Sequence, residues 1–409
     1  MKGRRLLLLL FTASMASFCA CAGSQPDSYY SGSDASAGVG LYTEISRYGT
    51  WVDVAPYGSC WVPLDVPVGW RPYTQGYWVD TDYGWMWISQ DPWGAIPYHY
   101  GRWALDDSYG WLWVPDDDEV WAPAWVSWRY GDGYVGWAPL PPDVGWQTGS
   151  GLTVSAAVLD QRITRDSWSF VPTRAFGTTR IRTSVLPPSR NVTFISRTQN
   201  VTQYGVVNSR PAERGLDLVL EHDTGRTFQR YQVLDSSSPA SLRGDKILGR
   251  TIEAYRPPVS GSKNPPVRPT TQEQSAPSRA VIQRLDTQER RFDQRMRRER
   301  AELDREQQRE LKRQSQDRAS TEEIRQRHQA EMQAQQEREA KERRALDQRR
   351  RIAQDMRSNK GQGKEQSQGK EQSQGKGQGQ GKGHDKQKRD RGNSKDKGQA
   401  EGEGSRNPG

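Results

Sequence analysis

The sequence predicts a mainly β amino-terminal half of tandem antiparallel hairpins, a small α+β second module, a long charged α-helix and a disordered tail. Three observations carry this. All 16 Trp of the 409 residues lie between Trp51 and Trp168, and Trp and Tyr supply 24 of the 96 residues from Trp51 to Trp146. Those aromatics recur at a fixed period around Asp/Gly turns, the mark of tandem supersecondary units. Beyond Tyr255 neither Trp nor Tyr occurs, and the chain becomes rich in Arg, Glu, Gln and Gly. Hydrophobic residues make up 33% and mean hydropathy is −0.95, against a usual apolar share of about 45–50%. A single globular enzyme over the whole length is excluded. So is a multispan membrane protein, since no apolar run of about 20 residues exists.

Residues 1–21 read as a signal peptide. Lys2, Arg4 and Arg5 precede an apolar run from Leu6 through Phe18, too short to remain as a spanning helix. Phe18-Cys19-Ala20-Cys21 resembles a bacterial lipobox, with a small residue before Cys21 but Phe and Cys at the two positions ahead of it. Cleavage after Ala20-Cys21-Ala22 is the competing reading. Lipidation is assigned to Cys21, whose acyl chains would anchor the protein without spanning. Cys60 is then the one thiol left among three Cys, so no intrachain disulfide is expected, and its place in an apolar run makes it a small buried hydrophobe.

Residues 22–40 read as a flexible linker. The aromatic β-hairpin repeat module follows at 41–149. Its units open on Trp51, Trp78, Trp103 and Trp128, spaced 27, 25 and 25 residues apart. Alternation puts Tyr83, Trp85 and Trp87 on one face of a strand and Met86 and Ile88 on the other; Tyr109, Trp111 and Trp113 repeat this against Leu112 and Val114. Both faces are apolar and both demand cover. A module this small has too much surface to hide every ring. Those six Tyr and Trp side chains are therefore the candidate binding surface, a platform for sugar rings or a Pro-rich peptide, beside the bland reading that they are core. Asp116, Asp117, Asp118 and Glu119 offer hard oxygen ligands and are a weak metal candidate. His99, between Tyr98 and Tyr100, has no catalytic partner placed by sequence. No catalytic residue and no cofactor are assigned.

Charge divides the chain. Residues 41–146 hold 4 basic and 14 acidic residues, whereas 147–258 hold 15 basic and 9 acidic ones. Opposite fields favour packing of the two segments on each other; two independently solvated surfaces are the alternative. Residues 150–258 form the basic α+β module, with strands expected at 167–171, 179–182, 191–195 and 230–234 and a short helix at 216–222 ending near Gly225. Arg162, Arg165, Arg180 and Arg182 are a candidate basic surface.

A Pro-rich linker (259–277) leads to a charged helical stalk or coiled coil at 278–357. Opposite charges recur at helical spacing, as in Glu306/Arg309. Leu285, Phe292, Met296 and Leu303 follow a 7-4-7 seam, and Ser320-Thr321-Glu322-Glu323 reads as a capping box restarting a second helix. A continuous rod would reach roughly 110 Å at ~1.5 Å per residue. The Gly/Gln/Lys tail at 358–409 cannot bury enough apolar surface to fold.

The Tyr-Gly-Trp-x-Trp copies at 83–87 and 109–113, Gly69-Trp70-Arg71-Pro72-Tyr73, Trp121-Ala122-Pro123-Ala124-Trp125 and Gly136-Trp137-Ala138-Pro139 resemble a Trp/Tyr-rich family of exported bacterial proteins with YxWxxG-type repeats, classed as a domain of unknown function. The resemblance spans about residues 41–258. It implies export and a β-rich body, and carries over no activity.

The expected function is that of an exported bacterial envelope protein, in the periplasm or at the outer membrane, with a non-catalytic binding or scaffolding role. Its Trp/Tyr surface would bind cell-wall glycan. The alternative is a structural or assembly role through the stalk; an enzyme of unknown class has less behind it. Expected partners are envelope glycan or envelope proteins, the membrane through the lipid anchor and a second copy through the stalk, with no nucleic acid.

Overall fold

The computed structural model describes residues 42, 44–116, 120–238, 244–256, 279–313 and 318–374. The signal segment with Cys21, the two linkers and the tail beyond residue 374 lie outside them. Two compact units divide the chain, Met1–Arg357 and Ser358–Gly409.

The first unit opens with four hairpins where the Trp period places them. They are β1 (Gly49–Val54) with β2 (Gly58–Pro63), β3 (Gly76–Thr81) with β4 (Gly84–Ser89), β5 (Arg102–Asp106) with β6 (Gly110–Val114), and β7 (Val126–Gly131) with β8 (Tyr134–Pro139). In every one the leading Trp stands directly opposite a second Trp: Trp51 faces Trp61, Trp78 faces Trp87, Trp103 faces Trp113 and Trp128 faces Trp137. Turns of three residues in the first and third hairpins and two in the second and fourth fix that register. The Asp106 carboxylate accepts the backbone N–H groups of Ser108 and Tyr109 at 2.7 and 2.8 Å, the turn chemistry for which Asp is suited.

The following segment supplies β9 (Trp146–Gln147), β10 (Gly151–Leu152), α1 (Ala156–Arg162), β11 (Ser169–Pro172), α2 (Asn191–Arg197), β12 (Gln199–Asn200), β13 (Tyr204–Val207), β14 (Arg210–Glu213), α3 (Gly215–Thr224), β15 (Arg230–Ser236), β16 (Lys246–Leu248) and β17 (Thr251–Tyr255). Its strands complete sheets begun by the hairpins. The first and third hairpins form the sheet β1-β2-β6-β5. The fourth is extended to β11-β8-β7-β12, and the second lies at the edge of β16-β17-β15-β3-β4. In that last sheet β15 runs parallel to both β3 and β17, pairings that no local hairpin rule predicts. The sheets thus cross the boundary expected at residues 149–150. Ion pairs tie the acidic and basic segments together, with Asp80 bonded to Arg230 at 3.0 Å and Asp143 to Arg162 at 2.7 Å.

One continuous core joins the sheets, with Trp61, Trp87 and Trp137 at 0% exposure. Each buried indole removes roughly 150–250 Å² from water, about 4–6 kcal/mol gross at ~25 cal/mol per Å².

Two expected strands are helical instead. Residues 191–195 belong to α2, and the stretch at 179–182 leads into a 3₁₀ turn at Ile181–Ser184. The β-branched residues that suggested strands are overruled by tertiary contacts. Asn191 Nδ2 donates to the carbonyls of Arg165 and Trp168 at 2.8 Å, and Phe194 packs on Phe170 and Tyr134. Strand residues are found at Ser169–Pro172 and Arg230–Ser236, and α3 ends on Gly225 at φ 60°, whose N–H returns to Glu221 O.

The stalk is not an extended rod. Helices α4 (Arg279–Arg313) and α5 (Arg318–Gln374) lie antiparallel: Arg350 meets Glu289, Arg338 meets Glu299 and Arg327 meets Glu310, so numbers fall on one helix as they rise on the other. The seam residues Leu285, Phe292, Met296 and Leu303 are buried, but the cluster they enter contains Leu346 and Ala353 of the same chain. The return helix is tethered to the seam, so its effective concentration there is high and the pairing is intramolecular. Helical backbone also continues to Gln374, into the Gly/Gln stretch expected not to fold.

Candidate functional site

Five of the six rings singled out as a candidate binding surface are buried. Tyr83, Trp85, Trp87, Trp111 and Trp113 are 0–8% exposed, and only Tyr109 is half-buried. Cover comes from segments that local alternation cannot reveal. Trp85 lies between Phe176 and Phe228, at 4.6 and 4.9 Å between ring centroids, and Tyr83 meets Trp121 and the Arg210 guanidinium. Trp113 meets Trp51 and Tyr42, and Trp111 lies beneath the helical hairpin.

Of the acidic quartet, Asp117, Asp118 and Glu119 lie outside the described residues, while Asp116 sits 3.7 Å from Arg102. Among the described residues no group of three or more His, Cys, Asp or Glu is placed to hold a metal ion. Cys60 is fully buried among Val62, Ala104 and Leu112. His99 is buried and stacked on Trp121; its Nδ1 faces the Ala122 carbonyl at 3.0 Å and its Nε2 faces Asp245 Oδ2 at 3.1 Å. Both nitrogens meet oxygens, so the ring clasps two strand connections. Sequence reasoning had no way to pair His99 with Asp245, 146 residues away.

The cleft that remains lies between the β-body and the helical hairpin. Two glycines let the helices approach. At Gly110 a side chain would stand 2.9 Å from the Ala345 methyl, and at Gly69 it would collide with the Arg295 guanidinium; both have φ near +70°, which favours glycine. Ion pairs pin the rim, Arg284 to Asp65 at 2.5 Å, Arg190 to Glu306 at 3.0 Å and Lys341 to Asp107 at 3.2 Å. Thr193 donates to the buried carboxylate of Glu331. Within the cleft Trp70, Trp111, Val66 and Leu105 form an apolar wall around a cavity of about 60 Å³.

Three buried arginines face this region. Arg338 is gripped by Glu299 and Glu342 at 2.7 and 2.8 Å. Arg71 donates from Nη1 to the Trp168 carbonyl at 2.6 Å, and burial, with Arg338 next, lowers its pKa to about 10. Arg349 is likewise lowered to about 10 by burial, against the opposing pull of Glu342. Burial raises the Asp166 carboxyl on the same wall.

Away from the cleft, Glu213 is 2% exposed; its Oε1 accepts the N–H groups of Gln203 and Gly215 at 2.8 and 2.9 Å, and burial pushes its pKa from 4.5 to about 8. Asp91 and Asp217 are each raised to about 6, again by burial first. The folded state therefore holds protons that the unfolded chain has released, so stability is greatest below the unfolded values and falls as pH rises through the folded ones. The expected result is a Tm that drops between pH 5 and 9, with Glu213→Gln flattening the upper part of the decline. An upward slope, or the same slope in the variant, would contradict it. The size for one such group is on the order of a few kcal/mol.

Fold and cleft together define a Trp-paired β-body closed by a charged helical hairpin. Residues 42–144 match the model of a family of unknown function, DUF6600. That stretch contains all four hairpins and stops short of the strands that complete their sheets. No curated protein and no solved structure matches the chain.

Proposed function

We propose that this chain is an exported bacterial envelope lipoprotein, anchored through Cys21, with a non-catalytic scaffolding role, and that the family matched over residues 42–144 is the Trp/Tyr-rich exported one its repeats resemble. The observation that carries the scaffolding role is the closure of the charged hairpin on the body. The aromatic residues are spent internally, so the molecule meets its surroundings with interleaved Arg and Glu on two long helices. Such a surface suits contact with charged envelope polymers or proteins. The leader supports export, and the engagement of both His99 nitrogens supports the absence of catalysis.

The test is metabolic palmitate labelling with fractionation. Wild type is expected to carry label and to sediment with membranes. Cys21→Ala is expected to lose the label and to appear in the soluble fraction. Label retained in the variant would remove the anchor from the proposal.

A further inference from the structure

We propose that the cleft between the β-body and the helical hairpin is a binding site for a small monocarboxylate, whose charged end is taken by the guanidinium of Arg349.

Arg349 lies on α5, lines the cavity and is 8% exposed. Its Nε donates to the Ala345 carbonyl, one turn back on its own helix, at 3.3 Å. Its two terminal nitrogens meet no hydrogen-bond partner among the described residues. Two other buried arginines are treated differently. Arg129 reaches Asp160, Thr198 and the Ile195 carbonyl, and Arg338 is held by two glutamates. Two terminal nitrogens that meet no protein acceptor leave the planar fork open to a ligand. Arg349 lines a space of about 60 Å³, enough for several waters or one small anion, since a single water takes about 10–15 Å³ by this measure.

The choice of anion follows from fork and charge. The planar guanidinium fork matches a carboxylate in a bidentate pair. The cavity is lined by four cationic side chains, Arg71, Arg338, Lys341 and Arg349, and three acidic ones, Asp106, Asp166 and Glu342. Arg338 and Lys341 are already paired with Glu299, Glu342 and Asp107, so the wall favours a ligand of low negative charge. A doubly charged phosphate would face three carboxylates. The same acids accept hydrogen bonds, so a ligand carrying a hydroxyl or ammonium group beside its carboxylate fits best, with its carbon skeleton against Trp70 and Trp111. The site is independent of the export reading: it stands or falls on the folded chain alone.

The experiment is calorimetric titration of the purified full-length chain with acetate, lactate, glycylglycine and inorganic phosphate. Lactate is expected to bind saturably, at millimolar Kd or tighter, and more strongly than phosphate. Glycylglycine stronger than lactate would identify the ligand as a chain terminus; the reverse order would identify a free acid. Both orders support the site. Arg349→Met is expected to weaken lactate by at least about tenfold, with Tm little changed because no carboxylate loses its partner. Should that variant fail to fold, Arg349→Gln carries the same expectation. The proposal is overturned by the absence of saturable carboxylate binding, by phosphate binding more tightly, or by unchanged affinity in the Arg349 variant that folds.

Discussion

Cut after Gly149, the chain is expected to lose cooperative folding that the full-length protein retains. The four hairpins are then present but their sheets are not. Strand β3 loses β15, β8 loses all four residues of β11, and β7 loses β12. Trp85 loses Phe176 and Phe228, and Trp125 loses the stacked ring of Tyr204, whose hydroxyl bonds the carbonyls of Ala124 and Val126. Arg71 loses the Trp168 carbonyl. Apolar sheet faces and bare strand edges would be left in water, the conditions for a collapsed, fluctuating state. Narrow amide proton dispersion, dye binding and rapid proteolysis of the fragment would bear this out. Well-dispersed resonances from the fragment would show that the family-matched stretch is self-sufficient.

Trp78→Ala is expected to be the most damaging single substitution in the body, costing about 3–5 kcal/mol. The Trp78 ring is 1% exposed and lies 4.7 Å from Trp128, 4.9 Å from Trp87 and 5.8 Å from both Trp137 and Tyr73. It bridges the second hairpin to the fourth, so its loss opens a cavity where two sheets meet and small shifts cannot fill it. Set against a typical total of about 5–15 kcal/mol, this is a third or more of the stability. Leu218→Ala, at a side chain 65% exposed, should change stability by less than about 0.5 kcal/mol. Urea denaturation separates the two: the midpoint falls for Trp78→Ala at unchanged slope and holds for Leu218→Ala. Equal midpoints would mean that the aromatic junction does not stabilise the fold.

The hairpins were legible because their information is local. A Trp, a short alternating run, an Asp/Gly turn and a second run all fall within about a dozen residues. The seam of Leu285, Phe292, Met296 and Leu303 was legible for the same reason. What lay beyond reading was the choice of partner. Nothing near Asp80 points to Arg230, and nothing in the seam distinguishes Leu346 and Ala353 from a second copy. The same limit holds for the candidate platform: alternation sorts rings onto faces but does not say what covers them. The cleft was hidden more deeply still. Arg349, Arg350 and Arg351 read alike in sequence, yet Arg350 pairs with Glu289, Arg351 is exposed and Arg349 is buried without a carboxylate partner. Burial alone separates them.

The crowding of indoles has an optical consequence. Trp61, Trp93, Trp70 and Trp103 form one chain of neighbours and Trp87, Trp78, Trp128 and Trp137 another, with centroids 4.7–6.4 Å apart. Absorbed light at such separations is shared among rings before it is emitted, so fluorescence reports the β-body as a collective and not ring by ring. The helical hairpin, free of Trp and Tyr, is dark in that channel and speaks through far-ultraviolet dichroism instead. One sample thus carries two separable signals, and a spectrometer can tell whether body and hairpin melt together.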